Sequence, residues 1–182
     1  HRQVLYEDAD CGRLKVEAAR EKLLRANPEV RVDAVMADVS EDNVEALVEG
    51  ADLVMDGADN FEMRLLFNAM CVKHDIVWVH GAIVGAYGLQ MTVIPGETAC
   101  LACLLPDLPE PGAVPTAETA GTLSSAVAVV AAYQVTEAIK VLTGNLHRVR
   151  RTLMSFDLWE NTRAEVTVQR RVLGDPCPVC VG

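Results

Sequence analysis

The feature that most constrains this chain is a pair of matching hooks, "CLAC" at 100–103 and "CPVC" at 177–180. Cys100 and Cys103 stand three residues apart, and Cys177 and Cys180 repeat that spacing. Four thiols in two such hooks fit a tetrahedral zinc ion. All four ligands would be protein thiols, which leaves no position open for water or substrate, so the site reads as structural. A metal there pins the chain end to the Pro-rich stretch from about 95 to 121, which packs poorly by itself. The alternatives are a disulfide, separate buried thiols, or a redox pair. A redox C-x-x-C normally sits at a helix start beside a sheet, whereas each pair here sits in a loop containing Pro and Gly. Cys71 falls in a helical pattern and reads as a core thiol. Cys11 lies beside Asp8 and Asp10, a poor setting for a nucleophile.

The rest of the pattern alternates helix and strand. "GRLKVEAAREKLLRAN" repeats its apolar residues at three and four and is stopped by Asn27-Pro28, which predicts a helix. "EVRVDAVMA" (29–37) alternates and is rich in Val, which predicts a strand. "SEDNVEALVEG" predicts a short helix capped by Ser40. "ADLVMDG" reads as a buried strand with its exit turn, and "NFEMRLLFNAMCVKHD" as a helix. "IVWVHGAIVGAYGLQMTVIPG" gives two strands joined by a turn rather than a phosphate loop. A long helix over 122–143 follows, then two late strands, "RTLMSFDL" and "RAEVTVQRR". Aromatics are only 4% of the chain, so Ala, Val, Leu and Met must fill the core, which suits helices packed on a parallel sheet. The order predicts an α/β fold with a parallel sheet and an antiparallel C-terminal part, organised as one domain over 1–182.

Charge and hydropathy narrow the function. A net charge of −10 argues against nucleic acid and against an anionic membrane surface as partners. An ATP-like ligand would need locally placed Arg or Lys. "TLSSAVAVVAAYQVTEAIKVLTG" is long enough for a membrane span, but Gln134, Glu137 and Lys140 interrupt it, and it reads as a buried helix. The opening "HRQVLYEDADCGRLK" is polar throughout, with no signal-like apolar region, which leaves the cytoplasm as the expected location. The chain opens directly before a helix, with no strand and Gly-rich turn ahead of it, and so reads as beginning partway through a fold.

"LVMDGADNFEMR" sets Asp56, Asp59 and Asn60 at the C-terminal end of a predicted buried strand, where open α/β sheets bind ligands. A carboxylate there can hold Mg²⁺; equally, Asp59 and Asn60 can simply cap the next helix. His80, at a strand end before Gly81, reads as a satisfied structural histidine, with a place facing the site as the alternative.

With these motifs in order, the chain resembles the ubiquitin-activating-enzyme-like adenylyltransferases of the ThiF/MoeB/HesA type. The matching stretches are "RQVLYEDADCGRLK", "DLVMDGADNFEMR", "VHGAIVGAYGLQMTVIPG", "CLAC", "CPVC" and "GAVPTAETAGTL" before the long helix. The resemblance implies a Rossmann-like fold and ATP-dependent adenylation of the C-terminal carboxylate of a small ubiquitin-like sulfur carrier ending in Gly-Gly. It implies that Arg2, Gln3 and Lys15 meet ATP, with Arg2 and Lys15 on its phosphates, that Asp59 holds Mg²⁺ and that Asn60 lines the nucleotide site. It also implies a homodimer through the long helix. Where some relatives carry a transfer cysteine, this chain has Ala117 beside Thr116, so no covalent thioester is expected. Three other functions compete: a non-catalytic zinc-stabilised scaffold for a carrier or catalytic partner, adenylation of a tRNA base or a peptide, and a nicotinamide dehydrogenase, for which no dinucleotide fingerprint is present.

Overall fold

The computed structural model describes residues 3–107, 115–172 and 176–180. The chain divides into two compact units, His1–Val39 and Ser40–Gly182.

In the first unit, helix α1 spans Lys15–Ala26. Ahead of it, a short turn at Asp8–Asp10 is laced to the helix by ion pairs. Lys22 Nζ lies 2.5 Å from Asp10 and 3.2 Å from Glu7, and Arg13 reaches Asp10 and Glu21. The hydrogen bond from Lys22 holds the Asp10 carboxyl below its ordinary value. The strand expected over 29–37 is absent: these residues form no ladder among the described residues, and Val35 and Met36 are exposed. Alternation and Val content favour extended backbone, but a strand exists only against a partner.

The second unit holds a five-stranded sheet among the described residues. The strands are β1 (Leu53–Met55), β2 (Val77–Val84), β3 (Tyr87–Val93), β4 (Leu153–Asp157) and β5 (Thr162–Val166), ordered as numbered. Helices α2 (Val44–Val48) and α3 (Phe61–Lys73) flank β1, α4 (Leu101–Leu104) and α5 (Ala117–Ala120) are short, and α6 spans Ser124–Leu142. Ser40 does not cap α2; its N–H instead donates to Asn43 Oδ1 at 2.9 Å, in the turn before the helix.

The α/β, Rossmann-like architecture is the expected one, and the sheet is mixed. β1 pairs with β2 in parallel, with Met55 opposite Val79. The remaining ladders are antiparallel. The antiparallel portion therefore starts at the β2–β3 hairpin, earlier than the late strands alone suggest. That hairpin turns at Gly85, whose φ of 60° is costly for other residues. β5 stops at Val166, short of the expected strand end, because residues 167–172 leave the sheet.

α6 lies along one face of the sheet. Ala126 and Val130 pack with Met154 and Phe156, and Ile83, Val129 and Tyr133 close around them. The approach is close because Gly81 and Gly88 lack side chains. A Cβ on Gly81 would stand 2.6 Å from Val130 and 2.7 Å from Gln134; one on Gly88 would stand 2.5 Å from Phe156 and 2.7 Å from Val130. Gly81→Ala and Gly88→Ala should each destabilise the protein by about 1–3 kcal/mol through overpacking. The two costs should not add, since both intrude on Val130. Urea unfolding midpoints of the single and double variants check this.

Burial of α6 on nearly all its faces is not found in the single chain. Val135, Ile139 and Leu142 are 47%, 55% and 60% exposed, because a helix resting on one sheet face buries one stripe. Its polar interruptions are used internally. Glu137 is buried, accepts the Arg150 backbone N–H at 2.9 Å and pairs with Lys140 at 2.6 Å. α6 is long and apolar enough to cross a membrane by length and composition alone, but these internal bonds are those of a helix packed on a sheet.

Candidate functional site

The turn after β1 is held from several sides. Asp56 continues the parallel ladder, its N–H donating to the Val79 carbonyl at 3.0 Å. Its carboxylate is buried. Oδ1 accepts the Ala58 N–H at 2.8 Å, and Oδ2 lies 2.5 Å from His80 Nδ1 and 3.3 Å from Arg64 Nε. Arg64, one turn into α3, also donates from Nη2 to the Ala58 carbonyl at 2.7 Å. Gln134 reaches in from α6 and donates from Nε2 to the carbonyls of Asp56 and Val79, at 2.9 and 3.0 Å. Burial pushes the His80 imidazole below its ordinary value, against the pull of Asp56 and with the help of Arg64. Trp78 tilts over the His80 ring, with centroids 4.9 Å apart. His80 is thus a satisfied structural histidine.

This frame leaves Asp59 and Asn60 exposed at its rim. Asn60 is the N-cap of α3, its Oδ1 accepting the Met63 N–H at 2.8 Å, so the capping reading of Asn60 holds. Its Nδ2 donates to the Asp59 carboxylate at 3.3 Å. The Asp59 carboxylate faces solvent beside the N-terminus of α3. Gln3 and Lys15 lie in the first unit, both exposed, Lys15 as the first residue of α1. Arg2 lies outside the described residues.

The four hook cysteines come together. Sγ–Sγ distances are 3.9 Å for Cys100–Cys103, 3.6 Å for Cys100–Cys177 and 3.4 Å for Cys103–Cys180, and all four sulfurs lie within 4.8 Å of one another. Tetrahedral zinc at its usual bond length of about 2.3 Å spaces its sulfurs about 3.8 Å apart, so the cluster fits the ion. The thiols are free, and these separations are too long for disulfides. Burial pushes the Cys100 and Cys180 thiols up. Burial acts the same way on Cys177, but the backbone N–H groups of Cys180 and Val179 and the thiols of Cys100 and Cys103 together outweigh it and bring that thiol down to about 7. Two late arginines strap the hooks. Arg170 donates to the carbonyls of Gly96 and Cys180, and Arg171 to that of Ala102. This is why residues 167–172 leave the sheet. Cys71 is buried, its thiol pushed up to about 12 by burial, and Cys11 is exposed. Thr116 caps α5 through reciprocal bonds with Thr119.

Sequence reasoning missed Arg64, Asn68, Arg170 and Arg171, and saw Gln134 only as a flaw in an apolar run. A buried amide in an Ala-rich helix was the available signal, because it demands a partner.

The sequence model of the ThiF family matches residues 1–179. The chain is 45% identical over 181 residues to the sulfur carrier protein ThiS adenylyltransferase of Bacillus subtilis, covering 98% of this chain and 52% of that protein. It is 37% identical over 186 residues to the sulfur carrier protein adenylyltransferase of Thermus thermophilus, covering 99% and 67%. The chain thus spans about half to two-thirds of the length of these curated relatives. A crystal structure of E. coli MccB with ATP superposes with a TM-score of 0.79 at 21% identity, over 100% of this chain and 55% of that one, and so shares the fold. With one family model running through both units, from residue 1 to residue 179, the chain belongs to the ThiF family.

Proposed function

We propose that the protein adenylates the C-terminal carboxylate of a small ubiquitin-like sulfur carrier ending in Gly-Gly, with residues 1–182 acting as one adenylyltransferase domain. The observation that carries this reading is Asp59: an exposed carboxylate on a turn fixed by Asp56, Arg64 and Gln134, at the C-terminal end of a parallel strand. The names of the relatives above point to the same substrate class.

In this reaction the carrier carboxylate attacks the α-phosphate of ATP, forming an acyl-adenylate and releasing pyrophosphate. Nucleotidyl transfer is mainly positioning and charge stabilisation. By the family pattern, Arg2 and Lys15 would supply positive charge to the phosphates, Gln3 would also meet ATP, and Asn60 would line the nucleotide. Asp59 would hold Mg²⁺, which neutralises phosphate charge. Cys100, Cys103, Cys177 and Cys180 would hold a structural zinc, in keeping with a reducing cytoplasmic setting. Thr116 is occupied as a cap, which favours release of the adenylate to a separate sulfur donor over a covalent thioester here. The exposed Val135, Ile139 and Leu142 on α6 suit a homodimer.

The test is pyrophosphate exchange with a Gly-Gly-tailed carrier and the full protein. Asp59→Ala should lower exchange on the order of 100-fold or more. Stability should stay within about 0.5 kcal/mol, because the side chain is exposed. Exchange unchanged in Asp59→Ala would refute the Mg²⁺ role. Carrier binding with no ATP binding in the wild-type protein would replace the enzyme reading with a scaffold.

A further inference from the structure

Asn68 lies wholly buried in the middle of α3, and the two ends of its amide have different fates. Oδ1 accepts the Leu101 N–H at 2.8 Å, which fixes the residue following Cys100. Nδ2 is buried with no hydrogen-bond partner. An orphaned buried N–H costs about 1–3 kcal/mol, so it is retained only where something compensates. With Oδ1 tied to the Leu101 N–H, the amide lies beside Cys100, the residue just before Leu101.

We propose that Asn68 Nδ2 is the hydrogen-bond donor to the metal-bound sulfur of Cys100, completing the hydrogen-bond shell of the four-cysteine centre. This rests on the metal reading above. A neutral thiol is a weak acceptor, and a thiolate is a strong one. An N–H left without a partner among the protein groups around it gains one in a metal-bound sulfur. The arrangement also answers a charge problem. Four thiolates and one divalent cation sum to −2 in a buried place, which needs donors around the sulfurs. The donor comes from α3, so the metal centre is supported by an element outside both hooks.

Cobalt titration of the full protein tests this. Asn68→Asp keeps an oxygen for the Leu101 N–H and removes the donor to sulfur. Wild-type protein should bind one Co²⁺ per chain with sulfur-to-metal charge-transfer absorption. Asn68→Asp should bind at least about 10-fold more weakly. Its charge-transfer band should move to longer wavelength, because a sulfur without its donor holds its electrons less tightly. A purely structural role for Asn68 would leave the band in place. Equal affinity and an unmoved band overturn the proposal. If the variant does not fold, the wild-type protein loaded with ¹¹³Cd suffices: a scalar coupling between the metal and the Asn68 Nδ2 protons supports the bond, and its absence overturns it. Wild-type protein that takes up no cobalt overturns the metal reading itself, a distinct failure that removes this inference with it.

Discussion

Removing metal from Cys100, Cys103, Cys177 and Cys180 is expected to unfold much of the second unit. Structural zinc contributes on the order of 10 kcal/mol of apparent folding energy. The net stability of a domain is only about 5–15 kcal/mol. The loss should therefore be felt well beyond the hooks. Without the ion, the loop carrying α4 and the residues at 176–180 keep the bonds of Arg170 and Arg171 but lose their shared centre. Calorimetry with and without a strong chelator, with metal content measured in parallel, should show one divalent ion per chain and a large fall in melting temperature, reversed by added zinc. Uptake should release protons, mainly from the thiols that burial holds high. A chelated, metal-free protein that melts at the same temperature would refute the staple.

Asp56→Ala should be the most damaging single substitution outside the cysteines, at about 3–5 kcal/mol. It strands the buried His80 ring and the Arg64 guanidinium and removes the acceptor of the Ala58 N–H. Asp56→Asn keeps the acceptor and the shape and should cost less. A double-mutant cycle of Asp56→Ala with His80→Phe should give a coupling well above 0.5 kcal/mol, read from urea unfolding. Additive effects would mean that the 2.5 Å contact contributes little. This prediction concerns stability, and Asp59→Ala concerns turnover, so the two aspartates of one short turn are separable by experiment.

The difference between these aspartates also shows what could be read in the sequence. Both stood out, because a short apolar run ended at them. Only the sheet register, which sets Met55 opposite Val79, reveals that Asp56 belongs to the interior with His80. Local signals were legible where local physics decides: the α6 pattern, the two strands joined by a turn, the Asn60 cap and the cysteine spacing. The strand expected at 29–37 failed because pairing is not local. The roles of Gly81 and Gly88 were hidden for the same reason, since it is α6 arriving from more than forty residues away that makes their missing side chains matter. Arg170 and Arg171 read as strand ends and turned out to be straps, because their acceptors are backbone carbonyls, which no sequence pattern displays.

One face of α3 carries Arg64, which grips the turn bearing Asp59, and Asn68, which grips the loop of Cys100. The two are four residues apart, a little over one helical turn, so both point the same way. A single residue inserted between them would rotate one about 100° away from the other and shift it about 1.5 Å along the axis. No rotamer change of a short asparagine recovers such a displacement. This stretch of helix is therefore locked in length: side chains along it can drift, but insertions and deletions cannot be tolerated there while both loops stay in place. Among ThiF-family chains that keep both the aspartate turn and the cysteine hooks, the spacing from arginine to asparagine should be invariant even where the loops around it change size.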